Sequence, residues 1–197
     1  MYALAEFERD ILLWIHGNLR FGALTPVMKA LSLMGDKGLF WIALTVVLLL
    51  FRKTRRVGIY CAASMILTFL IVNCAVKPLV ARTRPYDLFP QIQILTHAEH
   101  DFSFPSGHSA NSFAVAWILF RVTKKQYGVP ALILAILIAF SRLYVGVHYP
   151  TDVLAGTAVA IALAEVCLHQ IPKIERMQRR KKKAARRRKK QSAKRSA

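Results

Sequence analysis

The feature that most constrains this chain of 197 residues is a series of five apolar blocks separated by short polar segments. The blocks span residues 38–51, 57–76, 109–120, 129–140 and 153–168. A helix that crosses the hydrocarbon core of a bilayer needs about 20 predominantly apolar residues, with a lower limit of about 17. One block reaches that length alone, and the other four reach it when their flanking residues are included. We therefore predict an all-α fold, a polytopic membrane helical bundle, rather than a soluble domain.

The segment 7–35 is also apolar, but Arg20, Pro26 and Lys29 interrupt it. Two interpretations are open: the segment lies partly in the membrane interface, or it forms a tilted first span packed against protein. With the second interpretation, the bundle contains about six transmembrane helices. No small-residue cleavage site follows a short apolar core, so we expect no separate secretory signal.

Basic residues set the predicted orientation of the bundle. The net charge is +19, and residues 173–197 contain 14 Lys or Arg but one acid, Glu175. The short loops 51–56 and 121–125 are basic as well. With the apolar blocks as spans, both loops and the C-terminal segment lie on one side, which the positive-inside rule assigns to the cytoplasm.

The C-terminal segment differs in composition from the rest of the chain. It is of low complexity and has no apolar face, so we expect residues 173–197 to form a disordered basic cytoplasmic tail after a membrane-embedded domain of residues 1–172. Its expected partners are anionic lipids of the inner leaflet, to which each basic residue near the surface contributes about 1 kcal/mol. Nucleic acid is the less favoured partner, although such basic runs bind phosphate backbones without sequence preference.

Polar side chains interrupt the apolar pattern at the opposite end of the predicted bundle. They supply cations, two imidazoles and a carboxylate, at Lys77, Arg84, Arg142, His108, His148 and Asp152. Each has an ordinary alternative: the cations can be interfacial anchors, the first imidazole can cap a helix, and the last pair can form a local i,i+4 bond. Charged groups at a membrane usually face a cavity or one another. Their joint placement at one end therefore favours an anion site with an acid–base pair.

The sequence FPSGHSAN at residues 104–111 has the character of a phosphate-binding helix start. Pro105 suits the first position of a helix, and Ser106 and Gly107 place unpaired backbone N–H groups at the helix N-terminus, which attracts anions. Gly107 also lets the backbone approach an anion closely, and His108 projects from the same turn. We predict a phosphate cradle with a proton donor at its edge.

Three motifs in this region resemble a known family. They are Lys77, six residues and Arg84-Pro85; then Pro105-Ser106-Gly107-His108; then Ser141-Arg142, five residues, His148, three residues and Asp152. In this order and spacing, they are similar to the three signature motifs of the type-2 phosphatidic acid phosphatases. The resemblance covers residues 77–152 in motif and about 35–170 in layout.

The resemblance implies a role for each residue. His148 would be the nucleophile that forms a phosphohistidine, Asp152 would orient its ring, and His108 would protonate the leaving oxygen and then activate water. The phosphoryl oxygens would be held by Lys77, Arg84, Ser106, Gly107 and Arg142. No metal and no cofactor is implied, since these cations supply the charge.

A site at the boundary of membrane and water suits a phosphate on a lipid, so the expected partner is a membrane lipid substrate. Within the family, the short chain is most similar to the undecaprenyl-diphosphate phosphatases, with phosphatidylglycerol phosphate or phosphatidate phosphatases as alternatives. Alternatives of other classes are a vanadium-dependent haloperoxidase and a non-catalytic membrane anchor that uses the basic tail.

We expect the loop 86–103 to dip into the headgroup layer and help admit a lipid. Arg82 is either a rim contact or structural.

Overall fold

The computed structural model describes the backbone of residues 2–195 and the side chains of residues 4–172. Within this range the chain is helical and has no strand, which confirms the all-α prediction. The helices are α1 (Tyr2–Leu19), α2 (Leu24–Met34), α3 (Leu39–Leu50), α4 (Arg55–Phe69), α5 (Lys77–Val80), α6 (Pro85–Leu88), α7 (Gly107–Val122), α8 (Lys125–Tyr144) and α9 (Pro150–Arg195). A π-helical stretch, Leu70–Val76, joins α4 to α5.

The apolar blocks form the long helices, but six transmembrane helices are not confirmed. Among the described residues, three segments are long and apolar enough to cross a membrane: Arg55–Leu88, Lys125–Tyr144 and Pro150–Pro172. A fourth candidate is the pair formed by α2 and residues 36–50, which meet at an angle of 49°. The central helix is α7, whose 16 residues pack against α3, α4, α8 and α9. Nine of its 16 residues are buried, so protein covers most of its surface.

The kink between α2 and α3 brings the first long segment against the site end of α7. Lys37 and Gly38 in this kink have positive φ angles of 50° and 68°. Gly35 lies so close to its neighbours that an added Cβ would be 2.6 Å from Ile138 Cγ2 and 2.9 Å from His108 Cδ2. Such distances leave no room for a side chain, and glycine permits this close backbone approach.

The N-terminal helix α1 lies across one end of the bundle. Glu8 accepts a hydrogen bond from the backbone N–H of Thr151 at the start of α9, at 2.8 Å. Arg20 donates to the carbonyl oxygen of Tyr144 at the end of α8, at 2.7 Å. The twelve residues from Glu8 to Arg20 rise about 18 Å, yet both ends of this stretch contact the same end of the bundle.

The position of α1 favours one of the two interpretations for the first part of residues 7–35. The interfacial interpretation fits residues 7–19, and the long segment that follows is the bent pair of α2 and α3. One face of α1 is apolar and exposed, at Leu4, Phe7 and Trp14. This is the arrangement expected of a helix that lies in the interface. Within the described part of the chain, α1 is not one of the helices apolar enough to cross a membrane.

The last helix continues into the basic C-terminal segment. Its composition favoured disorder for residues 173–197, whereas the structure extends α9 as a helix to Arg195. Lys, Arg, Ala and Gln, which make up most of this segment, are among the stronger helix formers. The side chains of residues 173–197 lie outside the described range, so the domain division at residue 172 stays a prediction.

Candidate active site

The structure gathers all eight predicted site residues at the end of the bundle that α1 crosses. Each lies where a helix begins or ends, so the helix lengths set their common level. Lys77 opens α5 and Arg84 precedes α6. The others are at the start of α7 and around the junction of α8 and α9, namely Ser106, Gly107, His108, Arg142, His148 and Asp152. Six of the side chains are buried: Lys77, Arg84, Ser106, Arg142, His148 and Asp152.

The pair of His148 and Asp152 forms the centre of this cluster. Nδ1 of the His148 ring lies 3.5 Å from Oδ2 of Asp152, and both side chains are almost fully buried. On the other side of the ring, Nε2 lies 3.5 Å from Nη1 of Arg84. Burial lowers the pKa of His148 to about 4; Asp152 acts in the opposite direction, and Arg84 adds to the lowering. The lowered pKa of His148 favours the neutral form of its imidazole.

The start of α9 fixes the carboxylate of Asp152. Its Oδ2 accepts a hydrogen bond from the backbone N–H of Tyr149 at 2.9 Å. This is one half of a capping box, in which a side chain in the first turn reaches back to the residue that caps the helix. Ser103 Oγ donates to the same oxygen at 2.5 Å. The i,i+4 pairing predicted for residues 148 and 152 is thus achieved with His148 just before the helix rather than within it.

The three buried cations face carboxylates that the sequence analysis did not single out. Glu99 pairs with both Arg84 and Arg142. Asp101 pairs with both Lys77 and Arg84. These acids lie in the loop between α6 and α7, so the segment 86–103 covers the cations and contacts them through its acidic side chains. Each acid contacts two of the three cations, and together the two acids contact all three.

The cations hold both loop carboxylates in their ionised form. Burial alone would raise the pKa of Glu99, but the positive charges of Arg142 and Arg84 outweigh burial and hold that pKa below its usual range. The pKa of Asp101 is lowered in the same way by Lys77 and Arg84, against the effect of burial. A group with two or three acceptor oxygens and negative charge therefore suits this part of the site.

The start of α7 matches the predicted cradle only in part, because the backbone N–H of Ser106, predicted to be unpaired, donates to the carbonyl oxygen of Asp152 at 3.0 Å. Ser106 precedes the helix, and its Oγ accepts from the N–H of Ser109 at 3.4 Å. At Gly107, an added Cβ would lie 3.2 Å from Oδ1 of Asn73 and 3.9 Å from Nζ of Lys77. The absence of a side chain at Gly107 thus keeps the space beside Lys77 open. The Oγ of Ser106 caps α7, so this hydroxyl is only partly available to a bound anion.

His108 lies between two cavities at the site. One has a volume of about 460 Å³ and is also lined by Ser32 and Arg142. The other has a volume of about 740 Å³ and is also lined by Asn73 and Lys77. The Nε2 atom of His108 is buried and has no hydrogen-bond partner within the described part of the chain. An unpaired buried imidazole nitrogen is costly, and the residue that carries it lines both cavities.

Four residues that contact the predicted ones or their neighbours were not predicted from the sequence. Two are the loop acids, Glu99 and Asp101, whose acidic sequence AEHD between the first two motifs was the available signal. The third is Ser103, which contacts Asp152. The fourth is Glu8 on α1, 1% exposed and in contact with Arg82. No spacing rule could pair residues 74 positions apart.

Comparison with known proteins agrees with this geometry. Residues 57–176 match the family model described as the PAP2 superfamily. An undecaprenyl-diphosphatase of Sulfolobus acidocaldarius is 32% identical over 163 residues, which cover 80% of this chain and 78% of that protein. The undecaprenyl-diphosphatase BcrC of Bacillus subtilis is 36% identical over 107 residues, which cover 54% of this chain and 51% of that protein.

A solved structure is similar over most of the chain. The crystal structure of a transmembrane PAP2-type phosphatidylglycerolphosphate phosphatase from Bacillus subtilis superposes with a TM-score of 0.73 at 28% identity. The superposition covers 88% of this chain and 89% of that chain. The region matched by the family model contains all eight predicted site residues, and the apolar helices that carry them are those of a membrane bundle. The chain belongs to the PAP2 superfamily and is a membrane phosphatase.

Proposed function

We propose that the protein hydrolyses a phosphate or diphosphate ester of a membrane lipid through a phosphohistidine at His148. The observation that carries this proposal is the placement of the His148 ring between a carboxylate and a guanidinium. Nδ1 faces Asp152, and Nε2 faces Arg84 at 3.5 Å. Nε2 is therefore the atom directed toward bound phosphate, while the carboxylate stabilises the positive charge that the ring gains on attack.

The cations would bind the phosphoryl group in place of the loop carboxylates. Lys77, Arg84 and Arg142 each contact Glu99 or Asp101. A phosphate offers more charge and a third oxygen, so it can take over these contacts while the loop acids move toward water. The backbone N–H of Gly107 adds the partial positive charge of the start of α7, whereas that of Ser106 donates to the carbonyl oxygen of Asp152 at 3.0 Å. Charge that develops on the phosphoryl oxygens is then stabilised by groups already in position.

Protons are supplied and removed by His108. In the first step, Nε2 of His148 attacks phosphorus, the bond from phosphorus to the lipid oxygen breaks, and His108 gives a proton to that oxygen. In the second step, water attacks the phosphorus, the phosphorus–nitrogen bond breaks, and His108 takes a proton from the water. The two steps restore both imidazoles and release inorganic phosphate. The chemistry needs neither a metal nor a cofactor.

Undecaprenyl diphosphate is the favoured substrate, because two of the relatives similar to this chain carry the name undecaprenyl-diphosphatase. Phosphatidylglycerol phosphate is the alternative, supported by the similar fold of the phosphatidylglycerolphosphate phosphatase from Bacillus subtilis. The test is release of inorganic phosphate by the detergent-solubilised protein from undecaprenyl diphosphate, phosphatidylglycerol phosphate and phosphatidate, each in EDTA. We expect release from the diphosphate to be fastest and His148→Ala to release none. Absence of release from every lipid would leave the non-catalytic anchor, and halide oxidation with vanadate would indicate a haloperoxidase.

The proposed location of the site is the extracytoplasmic face of the cell membrane, with the basic tail in the cytoplasm beside anionic lipid. The basic loops 51–56 and 121–125 lie at the other end of the helices that lead to the site, which supports this orientation. A single cysteine at position 97, in a variant without Cys61, Cys74 and Cys167, should react with an impermeant thiol reagent in intact cells. Labelling that requires lysis would reverse the orientation.

A further inference from the structure

Arg82 makes a set of contacts that the proposed mechanism does not use. Its Nη1 donates to Oδ1 of Asp152 at 2.7 Å and to Oγ1 of Thr151 at 2.8 Å. Its guanidinium lies over the ring of Tyr149, 3.8 Å from the ring centroid. Its Nη2 donates to Oε2 of Glu8 at 2.5 Å. The side chain therefore contacts Tyr149, Thr151 and Asp152, three residues of the segment that starts at His148.

Glu8 completes this arrangement from the N-terminal helix. Its Oε1 accepts from the backbone N–H of Thr151 at 2.8 Å and from the hydroxyl of the same residue at 2.7 Å. Both carboxylate oxygens of Glu8 are thus occupied, and the side chain is almost completely buried. A buried carboxylate is costly unless it is paired and hydrogen-bonded. Here its partners are Arg82 and the first turn of α9.

We propose that Arg82 and Glu8 are positioning residues that hold the carboxylate of Asp152 in register with His148, so that α1 is part of the active site. This inference rests on the roles proposed above for His148 and Asp152. It assigns to Arg82 an action through Asp152 rather than a contact with phosphate. It also gives α1 a function that its apolar sequence does not suggest.

Geometry gives the first reason. Oδ2 of Asp152 faces Nδ1 of His148 and accepts from Ser103 and from the backbone of Tyr149. Oδ1 is held by Arg82. With both oxygens fixed, the carboxylate cannot rotate about its Cβ–Cγ bond and the imidazole keeps one orientation. A catalytic group must be held within about 0.5 Å of its productive geometry.

Charge gives the second reason. A lone cation on Asp152 would cancel part of the negative charge that must stabilise the His148 ring once phosphorus is attached. Glu8 and Arg82 together carry no net charge, so Arg82 can hold Asp152 while Glu8 offsets its field. The pair therefore fixes the position of the carboxylate and preserves its effect on His148.

The test uses the full-length protein in detergent and compares Arg82→Gln with a matched control, Arg20→Gln. Arg20 also ties α1 to the bundle, through the carbonyl oxygens of Tyr144 and Gln93, but it contacts neither Asp152 nor His148. We expect Arg82→Gln to lower kcat about 10–100-fold and to leave KM within about threefold. A loss of this size is typical when a residue that orients a functional side chain is replaced. Arg20→Gln should lower the thermal midpoint without a comparable loss of kcat.

Two further variants separate charge from position. Arg82→Lys keeps the charge and should recover part of the lost kcat; it also replaces Arg82→Gln in the comparison if that variant does not fold. Glu8→Gln keeps the shape of the side chain but leaves Arg82 to neutralise Asp152, so kcat should fall about tenfold. Asp10→Asn, on the exposed side of the same helix, is its control. Equal kcat losses in Glu8→Gln and Asp10→Asn would contradict the inference.

A double-mutant cycle distinguishes this inference from the proposed function. If Arg82 acts through Asp152, Arg82→Gln should lower kcat by less than about threefold in an Asp152→Asn background, because coupled residues are not additive. Full additivity would show that Arg82 acts elsewhere. High activity in Asp152→Asn alone would contradict the proposed function itself. A large loss in Asp152→Asn with unchanged kcat in Arg82→Gln would contradict this inference alone.

Discussion

The carboxylates on the two sides of His148 are held in opposite ways. Asp152 is fully buried in the first turn of α9. It accepts hydrogen bonds from the backbone N–H of Tyr149 and from the side chains of Ser103 and Arg82. Glu99 and Asp101 belong to the loop between α6 and α7, with side chains 20% and 52% exposed. Their carboxylates contact the cations of the cradle. A carboxylate thus occurs once as a fully buried group fixed by hydrogen bonds, and twice as a partly exposed group on a loop.

This difference determines which carboxylates a phosphate can displace. Moving Asp152 would break several buried hydrogen bonds and leave charged groups unpaired, which is strongly unfavourable. Moving Glu99 or Asp101 returns a partly exposed acid to water, while the phosphate replaces its charge on the cations. We therefore expect Asp152 to support every turnover, and we expect the loop acids to oppose substrate binding.

The largest effect should come from the fixed carboxylate. Asp152→Asn keeps the shape of the side chain but removes its charge and allows the wrong imidazole tautomer. We expect kcat to fall about 10³–10⁴-fold, as in other sites where an aspartate orients a catalytic histidine, with little change in KM. Steady-state phosphate release measures this, with Asp87→Asn, an exposed acid on α6, as the control. Nearly normal turnover in Asp152→Asn would show that the two classes of carboxylate are equivalent.

The second effect concerns His108, whose contribution should depend on the leaving group. A lipid monophosphate expels an alkoxide, which needs a proton, whereas a lipid diphosphate expels a phosphate monoester that leaves readily. His108→Ala should therefore slow phosphatidate hydrolysis about 10²–10⁴-fold and slow the first step on a diphosphate far less. His148→Ala should abolish both reactions. Single-turnover release of the first product measures the difference, and equal losses on both substrates would contradict the division of roles.

A smaller effect, of opposite sign, is expected from the loop acids. Glu99→Gln removes a negative charge that competes with phosphate for Arg84 and Arg142. A charge-assisted contact is worth about 1.5 kcal/mol or more, of which exposure removes a part. We therefore expect vanadate, an oxyanion that resembles phosphate, to inhibit Glu99→Gln at about fivefold lower concentration than the wild type. Inhibition curves for the wild type, Glu99→Gln and the control Asp87→Asn measure this. Weaker inhibition of Glu99→Gln would show that the loop acid assists anion binding.

The pH dependence of this effect follows from the lowered pKa of Glu99. A carboxyl group whose pKa is depressed in the folded protein stays ionised as pH falls, until pH reaches that lower value. The contact with the cations is thus present above the usual carboxyl pKa of about 4.3 and lost only below it. The difference in vanadate inhibition between wild type and Glu99→Gln should be constant from about pH 5 to 8. A difference that disappears near neutral pH would assign the competition to another group.

The motifs could be predicted from the sequence because their residues occur at helix ends. Successive helices of similar length bring these ends to the same side of the bundle. The role of α1 could not be predicted in this way. The interrupted apolar segment 7–35 left a span and an interfacial helix open, and the contacts of Glu8 and Arg20, which place α1 at the site end of the bundle, cannot be inferred from its pattern. The acids of the loop 86–103 were missed for a related reason. A loop has no periodicity from which the direction of a side chain can be inferred.

The smallest effect should come from the most highly charged part of the chain. Deletion of residues 176–197 should change turnover in detergent by less than about twofold. The reason is distance: α9 rises about 36 Å between Asp152 and residue 176, several times the screening length of about 8 Å at physiological ionic strength. The charges of this segment therefore do not reach the carboxylates or the cations of the site, and the proposed role of the segment is to bind anionic lipid at the other face. Turnover in detergent and in vesicles with and without anionic lipid measures both properties. A fall in detergent beyond about tenfold would require that α9 transmits an effect to its own first turn, where Asp152 is held.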